Sequence, residues 1–262
     1  MCGRFAINAT PDEVAAHFAL ADVEGFPPRY NIAPGQPILV VLPAPPREPG
    51  SNRPAHQSML VRWGLIPAWS KDPANLPMLF NARSETAAEK ASFKAAMRHR
   101  RALVPASGFY EWHRAPKELK QKPVPYWIRP ARGGIVAFAG LMETYVSADG
   151  TEIDTAAILT VGPNQEIAPI HDRMPVVIEP QDFSRWLDCL NQEPRHVADL
   201  MAPARDGYFE AIRVSDLVNK VANTSPEVQK PVADTEAEPA AAPAAKKRAK
   251  PSEAPSDQMK LF

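Results

Sequence analysis

Apolar positions along the first 230 or so residues cluster in short runs that stop at prolines, and this punctuation suits strands better than helices. "PILVVLP" (37–43) and "MLVRWGLIP" (59–67) are the clearest cases. "ALVPASGFYEW" (102–112), "IVAFAG" (135–140), "TAAILTVG" (155–162), "MPVVI" (174–178) and "YFEAIRVS" (208–215) read as further strands. Helical signals are fewer. "TPDEVAAHFAL" (10–20) starts with Thr10 as N-cap, Pro11 at the first helical position and Glu13 completing a capping box. "SETAAEKASFKAAMRHR" (84–100) has Ser84 as a candidate cap, acids first and bases last, and predicts the longest helix. "PQDFSRWLDCL" (180–190) and "PRHVADLM" (194–201) predict two late helices. Many short strands, few helices and no regular βα alternation predict an α+β domain over 1–230, its sheet curled toward a barrel. From 231 to 262 the chain is rich in Ala, Pro, Glu and Lys, with no aromatic before Phe262. Such a segment buries too little surface to offset its ordering entropy and predicts a disordered tail.

Composition narrows the functional classes. Thirty basic residues balance thirty acidic ones, so no global field draws the chain to nucleic acid or membrane. A hydrophobic fraction of 45% is enough for an ordinary core. Two cysteines, Cys2 and Cys189, are too few for a disulfide framework or a Cys-rich zinc site, which fits a reducing compartment. No apolar run approaches the roughly 18 residues of a membrane span, and no signal-like leader opens the chain. The expectation is a soluble cytoplasmic protein. No Walker loop, dinucleotide fingerprint or HExxH motif is present, so neither cofactor nor metal is expected.

Cys2 is oddly placed, because chain ends are mobile unless tied down. Loss of Met1 would give its carbons two adjacent nucleophiles, an α-amine and a thiol. Such a pair condenses with an aldehyde, first as a Schiff base and then as a five-membered thiazolidine. The α-amine has a pKa of about 8, so a usable fraction is unprotonated at neutral pH. The thiolate needs a depressed pKa, for which Arg4 is a candidate cation. Glu111 in "GFYEWHR" ends an apolar strand, where partial desolvation suits a carboxyl for acid–base work. His171 in "PIHDRMP" is a proton shuttle candidate, and Asn81 and Arg83 in "FNARSET" project from one short stretch. Each also has a bland alternative: a small buried residue, a salt-bridged edge glutamate, a structural histidine, or helix-start packing.

Taken in order, "MCGRF", "YNIAPGQ", "WGLIPAW", "NARSET", "GFYEW" and "IHDRMPVVI" resemble the SRAP family (SOS-response-associated peptidase), the abasic-site-processing proteins. The motifs run from Met1 to Ile178, and "RVSDLVN" near Val214 continues them loosely. The resemblance implies one α+β domain with a distorted barrel that recognises abasic sites in single-stranded DNA. It implies a covalent thiazolidine between Cys2 and the open-chain aldehyde of the abasic sugar. It further implies that Asn81 positions the sugar or the amine, that Glu111 orients the amine and moves its proton, and that His171 is an acid–base group. Thr160 is a weaker candidate for the same pocket. Arg4, Asn31 and Arg83 are implied as DNA contacts, with Pro34 and Trp69 packing on bases beside the lesion. The run Arg98–Arg101 is a further candidate for phosphate, although a helix C-terminus explains it as well. A peptidase label also attaches to the family; removal of Met1 is the proteolysis this chain needs, and lyase-type Schiff-base chemistry is a side activity of the same site.

Two alternatives remain at this level. "MCG" also opens the glutamine-hydrolysing half of class II amidotransferases, whose later glycine and asparagine motifs are not evident here. A non-covalent single-strand-binding module would make Cys2 incidental. The tail ends in "QMKLF", where Gln258, Leu261 and Phe262 resemble the pentapeptide that binds the bacterial sliding clamp, tethered to what the family resemblance favours as a monomer.

Overall fold

A computed structural model describes residues 2–21, 23, 25–45 and 51–232. In chain order the strands are β1 (Phe5–Ile7), β2 (Arg29–Ile32), β3 (Pro37–Pro43), β4 (His56–Trp63), β5 (Asn81–Arg83), β6 (Arg101–Ala106), β7 (Gly108–His113), β8 (Val124–Pro130), β9 (Val136–Val146), β10 (Glu152–Val161), β11 (Met174–Pro175), β12 (Val177–Ile178) and β13 (Phe209–Arg213). Among the described residues four α-helices join them: α1 (Pro11–Phe18), α2 (Ser84–Ala87), α3 (Lys94–His99) and α4 (Phe183–Leu187).

Five strands close a ring, because β10 pairs with β4, β4 with β3, β3 with β6, β6 with β9, and β9 again with β10. Only the β4–β10 contact in that ring is parallel. A second, antiparallel sheet runs β13-β8-β7-β1-β2. Its inner face, through Phe5 and Phe109, meets Trp63 and Phe138 of the barrel edge-on, with Phe5 and Trp63 ring centroids 5.0 Å apart. Its outer face carries Ala6, Tyr110 and Trp127 and is covered by Val214, Val218 and Val228. This is the α+β single domain with a barrel that the strand pattern predicts.

The element boundaries depart from the sequence reading in informative places. "ALVPASGFYEW" is two strands in two sheets: β6 belongs to the barrel and β7 to the second sheet, with Ser107 between them. At the pivot, Gly108 has φ +155°, and a Cβ there would lie 2.3 Å from the Ile128 carbonyl oxygen. "MPVVI" likewise changes partner, β11 pairing with β10 and β12 with β9. The long helix expected over 84–100 is instead α2 and α3 with a turn between. Ser84 is already helical and Arg83 holds the cap position without a side-chain cap bond, so Ser84 does not act as the cap. Burying Ala87, Phe93 and Met97 on one curved surface takes a bend that a straight helix would not give. "PQDFSRWLDCL" is a short 3-10 turn followed by α4, and "PRHVADLM" is 3-10 throughout.

The predicted start of α1 is present in detail. Glu13 N–H donates to Thr10 Oγ1 (3.2 Å) and Thr10 N–H donates to Glu13 Oε2 (2.7 Å). Thr10→Ala removes both the acceptor and the reciprocal geometry, and is expected to cost about 1 kcal/mol in chemical denaturation.

Candidate functional site

The N-terminal segment is held in place by strand pairing. Phe5 pairs with Phe109, and Tyr110 N–H donates to the Arg4 carbonyl (2.9 Å), so the residues before β1 run beside the end of β7. Alternation along β7 puts Phe109 and Glu111 on its inner face and Tyr110 on its outer one. Cys2 is fully buried at the edge of the core, and Asn81 Nδ2 donates to its carbonyl oxygen (2.7 Å). Asn81 reaches it because β5 lies parallel to β10, with Ile158 opposite Asn81. The Asn81 carboxamide oxygen is buried and has no hydrogen-bond partner among the described residues.

Glu111 is 3% exposed. Burial pushes its carboxyl up to about 7. His171 Nε2 lies 3.7 Å from Glu111 Oε2, an ion-pair separation rather than a hydrogen bond. The Arg173 backbone N–H (3.0 Å) and carbonyl oxygen (3.3 Å) both lie against His171 Nδ1, which holds the ring with Nε2 facing Glu111. Asp172 Oδ1 also stands 3.1 Å from Nδ1, so the imidazolium has an acceptor ready on that side. Burial lowers the basicity of His171. The structure therefore brings together Cys2, Asn81, Glu111 and His171, which come from four separate parts of the chain.

The thiol does not follow the sequence reading. Burial, reinforced by the negative charge of Glu111, pushes the Cys2 thiol well above its usual range. Arg4 does not offset this, because its side chain lies on the outer side of the sheet. There it donates to Asn31 Oδ1 (2.7 Å) and the Val218 carbonyl (2.7 Å), with its guanidinium 5.8 Å from the Trp112 ring centroid. Asn31 is buried too, its amide donating to the carbonyls of Val218, Lys220 and Asn223. Arg4 and Asn31 thus anchor the 218–223 turn over the second sheet.

Thr160 is fully buried; its hydroxyl donates to the Ala82 carbonyl (3.4 Å), behind the strand that carries Asn81. Arg83 and Trp69 are exposed, Trp69 at 58% with its indole N–H on the Ala91 carbonyl (3.2 Å), and Pro34 is half-buried in the turn between β2 and β3. Arg101 is unavailable to phosphate. It is fully buried and donates to the carbonyls of Trp186, Met97, Asp188 and Gln192, closing the turn after α4. Sequence reasoning missed the side-chain partner of Arg173, which is Glu85, 88 residues away, and no spacing rule links the two.

Glu111 also gives the protein a pH signature. With its folded pKa near 7 and an ordinary unfolded value near 4.5, the native state holds more protons between those limits. Stability should therefore fall as pH rises from about 4.5 to 7, by on the order of 3 kcal/mol. Glu111→Gln should flatten that slope in urea titrations across the window.

No helix among the described residues is long and apolar enough to cross a membrane, and no cluster of three metal-ligating side chains is found among them. The solved structure of a protein from Bacteroides thetaiotaomicron superposes with a TM-score of 0.76, covering 88% of this chain and all of that one at 22% identity. That likeness establishes the fold. In sequence, the chain is 37% identical over 231 residues to the abasic site processing protein YoqW of Bacillus subtilis, covering 87% of this chain and 98% of that one. It is 32% identical over 243 residues to YedK of Escherichia coli, also named an abasic site processing protein, covering 88% of this chain and 100% of that one. To HMCES of Xenopus tropicalis, of the same description, it is 30% identical over 275 residues, covering 90% and 80%. The family model for SOS response associated peptidase, SRAP, matches residues 1–221, and the chain belongs to that family.

Proposed function

We propose that this protein processes abasic sites in single-stranded DNA by linking itself covalently to the lesion through Cys2. The observation that carries the reading is the meeting of Cys2, Asn81, Glu111 and His171 in a chain whose relatives are named for abasic-site processing.

After Met1 is removed, the free Cys2 amine attacks C1′ of the ring-opened sugar. Glu111, poised near neutrality, takes the ammonium proton. That proton passes through His171, whose Nε2 faces the Glu111 carboxyl, to the departing hydroxyl, and one water leaves as the imine forms. The thiol then adds across the C=N bond: sulfur bonds to C1′, its proton ends on nitrogen, and the ring closes. The raised thiol pKa suits this order, since the amine is the first nucleophile and the thiol gives up its proton only as sulfur attacks. Asn81 orients Cys2 through its carbonyl, and the buried carboxamide oxygen can accept from the amine or a sugar hydroxyl. Reversal through the imine gives the site lyase-type chemistry, and self-removal of Met1 would be its peptidase activity. Exposed Trp69 and Arg83 with Pro34 supply stacking and phosphate contact without reading sequence, as a lesion with no base requires. No cofactor enters this scheme.

The test is incubation with an oligonucleotide carrying one abasic site. An adduct that survives denaturation, with a mass equal to protein lacking Met1 plus DNA minus one water, is expected. Its absence would overturn the reading.

Gln258, Leu261 and Phe262 lie outside the described residues. We infer that they tether the domain, a monomer, to a bacterial sliding clamp at replicating DNA. Clamp pull-down should succeed with the full chain and fail with one ending before Gln258; equal capture would dismiss the motif.

A further inference from the structure

The hydrogen bond from Asn81 to Cys2 joins residues 79 apart in sequence, and one buried side chain reaches the flanks of both. Trp63, at the end of β4, is fully buried. Its indole N–H donates to the Phe80 carbonyl (2.8 Å), one residue before Asn81. The same ring meets Phe5 edge-on, with planes at 74°, three residues after Cys2. A carbonyl oxygen has two lone pairs, and Ile158 N–H donates to the Phe80 oxygen as well (3.0 Å). The chain therefore enters β5 held both by β10 and by Trp63. The indole is itself fixed at its backbone. Trp63 N–H donates to the Gln36 carbonyl (2.9 Å), the Trp63 carbonyl accepts from Gly35 N–H (2.7 Å), and Gly64 N–H donates to the Ala156 carbonyl (2.8 Å).

We propose that Trp63 is a positioning residue that sets Asn81 against Cys2, because one rigid indole holds the backbone before the asparagine and the ring after the cysteine. It acts through those two neighbours and not on the lesion. The strand that carries Asn81 has only three residues, paired with β10, so its own ladder is a short support for a side chain that must aim accurately. Without the indole N–H, the Phe80 carbonyl keeps Ile158, and β5 stays in its sheet. The strand is then free to rock about β10 and carry the Asn81 carboxamide away from the Cys2 carbonyl. A small misplacement of that kind lowers the rate of a reaction far more than it lowers the stability of a fold. The role rests on the Cys2 chemistry proposed above, but its spectroscopic test does not.

Trp63→Phe keeps a ring against Phe5 and removes the N–H. At saturating abasic DNA its adduct should form about tenfold more slowly. Its Kd for a single strand carrying a tetrahydrofuran abasic analogue, which has no aldehyde, should stay unchanged. In protein labelled with nitrogen-15 at asparagine, the Asn81 side-chain amide should exchange with solvent faster than in the wild type and move toward the position of a free amide. Phe183→Leu is the control for destabilisation alone: Phe183 is buried against Phe18, with ring centroids 5.1 Å apart, and it should melt earlier yet react at the wild-type rate. If Trp63→Phe does not fold, 3-benzothienylalanine at position 63 keeps the size and shape of the indole without its N–H and gives the same reading. An unmoved Asn81 amide, a wild-type rate in the Trp63 variant, or equal slowing by Phe183→Leu would overturn the proposal. A wild type that forms no adduct would remove the crosslinking function instead, and the Asn81 amide alone would then decide whether Trp63 positions it.

Discussion

Cys2→Ala is expected to abolish the denaturation-resistant adduct with abasic DNA, lowering its yield at least a hundredfold in a gel assay run to completion. The substitution keeps an N-terminal amine, so an imine still forms, but no thiol remains to close the ring and heat or hydroxylamine reverses the product. Among the described residues the Cys2 side chain makes one weak hydrogen bond, Sγ to the Arg4 carbonyl oxygen at 3.7 Å, and alanine still fills part of its buried place. The backbone contacts that hold the segment, Asn81 Nδ2 to the Cys2 carbonyl and Tyr110 N–H to the Arg4 carbonyl, survive the change. Loss of adduct with an unchanged melting temperature therefore reports on chemistry. Adduct of full heat stability from Cys2→Ala would place the nucleophile elsewhere, and ammonia release from glutamine that depends on Cys2 would favour the amidotransferase alternative. Undiminished function of Cys2→Ala with no adduct in either protein would favour the non-covalent binding module.

Gly108→Ala should produce the largest loss of stability among single methyl additions. At this pivot the chain leaves the barrel for the second sheet, and the strand behind it approaches so closely that a Cβ would meet the Ile128 carbonyl oxygen at 2.3 Å and the Trp127 ring at 2.7 Å. The first of these is backbone held in the β7–β8 ladder by the Phe109–Ile128 pairing, so it cannot swing aside as a flexible side chain would. About 4 kcal/mol is expected, or a fall in Tm of roughly 10 °C. Gly162→Ala, where a Cβ meets nothing within 4 Å, is the matched control and should stay within about 0.5 kcal/mol. Because Glu111 lies three residues past the pivot, any Gly108→Ala protein that folds should also lose adduct-forming rate.

What could be read from sequence was whatever depends on near neighbours. The capping box of α1 needs only Thr10 and Glu13 three residues apart, and it forms as read. Runs such as "PILVVLP" and "TAAILTVG" are apolar enough that burial in a sheet is their only stable fate, and β3 and β10 lie there. The proposal for Cys2 likewise starts from one residue, since an α-amine and a thiol on adjacent carbons need no distant neighbour.

Environment and partners were not legible, because both depend on residues distant in sequence. The letters of "RHRR" offer three arginines for phosphate or a helix end, whereas the fold buries Arg101 against four carbonyls, those of Trp186, Met97, Asp188 and Gln192. Arg4 looked like the cation that would lower the Cys2 thiol, yet strand alternation turns its side chain to the opposite face from the core, while burial drives the thiol the other way. A single strand read over 102–112 hid the switch of sheets that sends Glu111 to the inner face. Sequence by itself determined the candidate groups and the alternation that sorts them to faces. Only the tertiary structure decided which of those groups share a site and what charge each holds there, because desolvation and pairing are set by neighbours that the chain brings together from as far apart as Glu85 and Arg173.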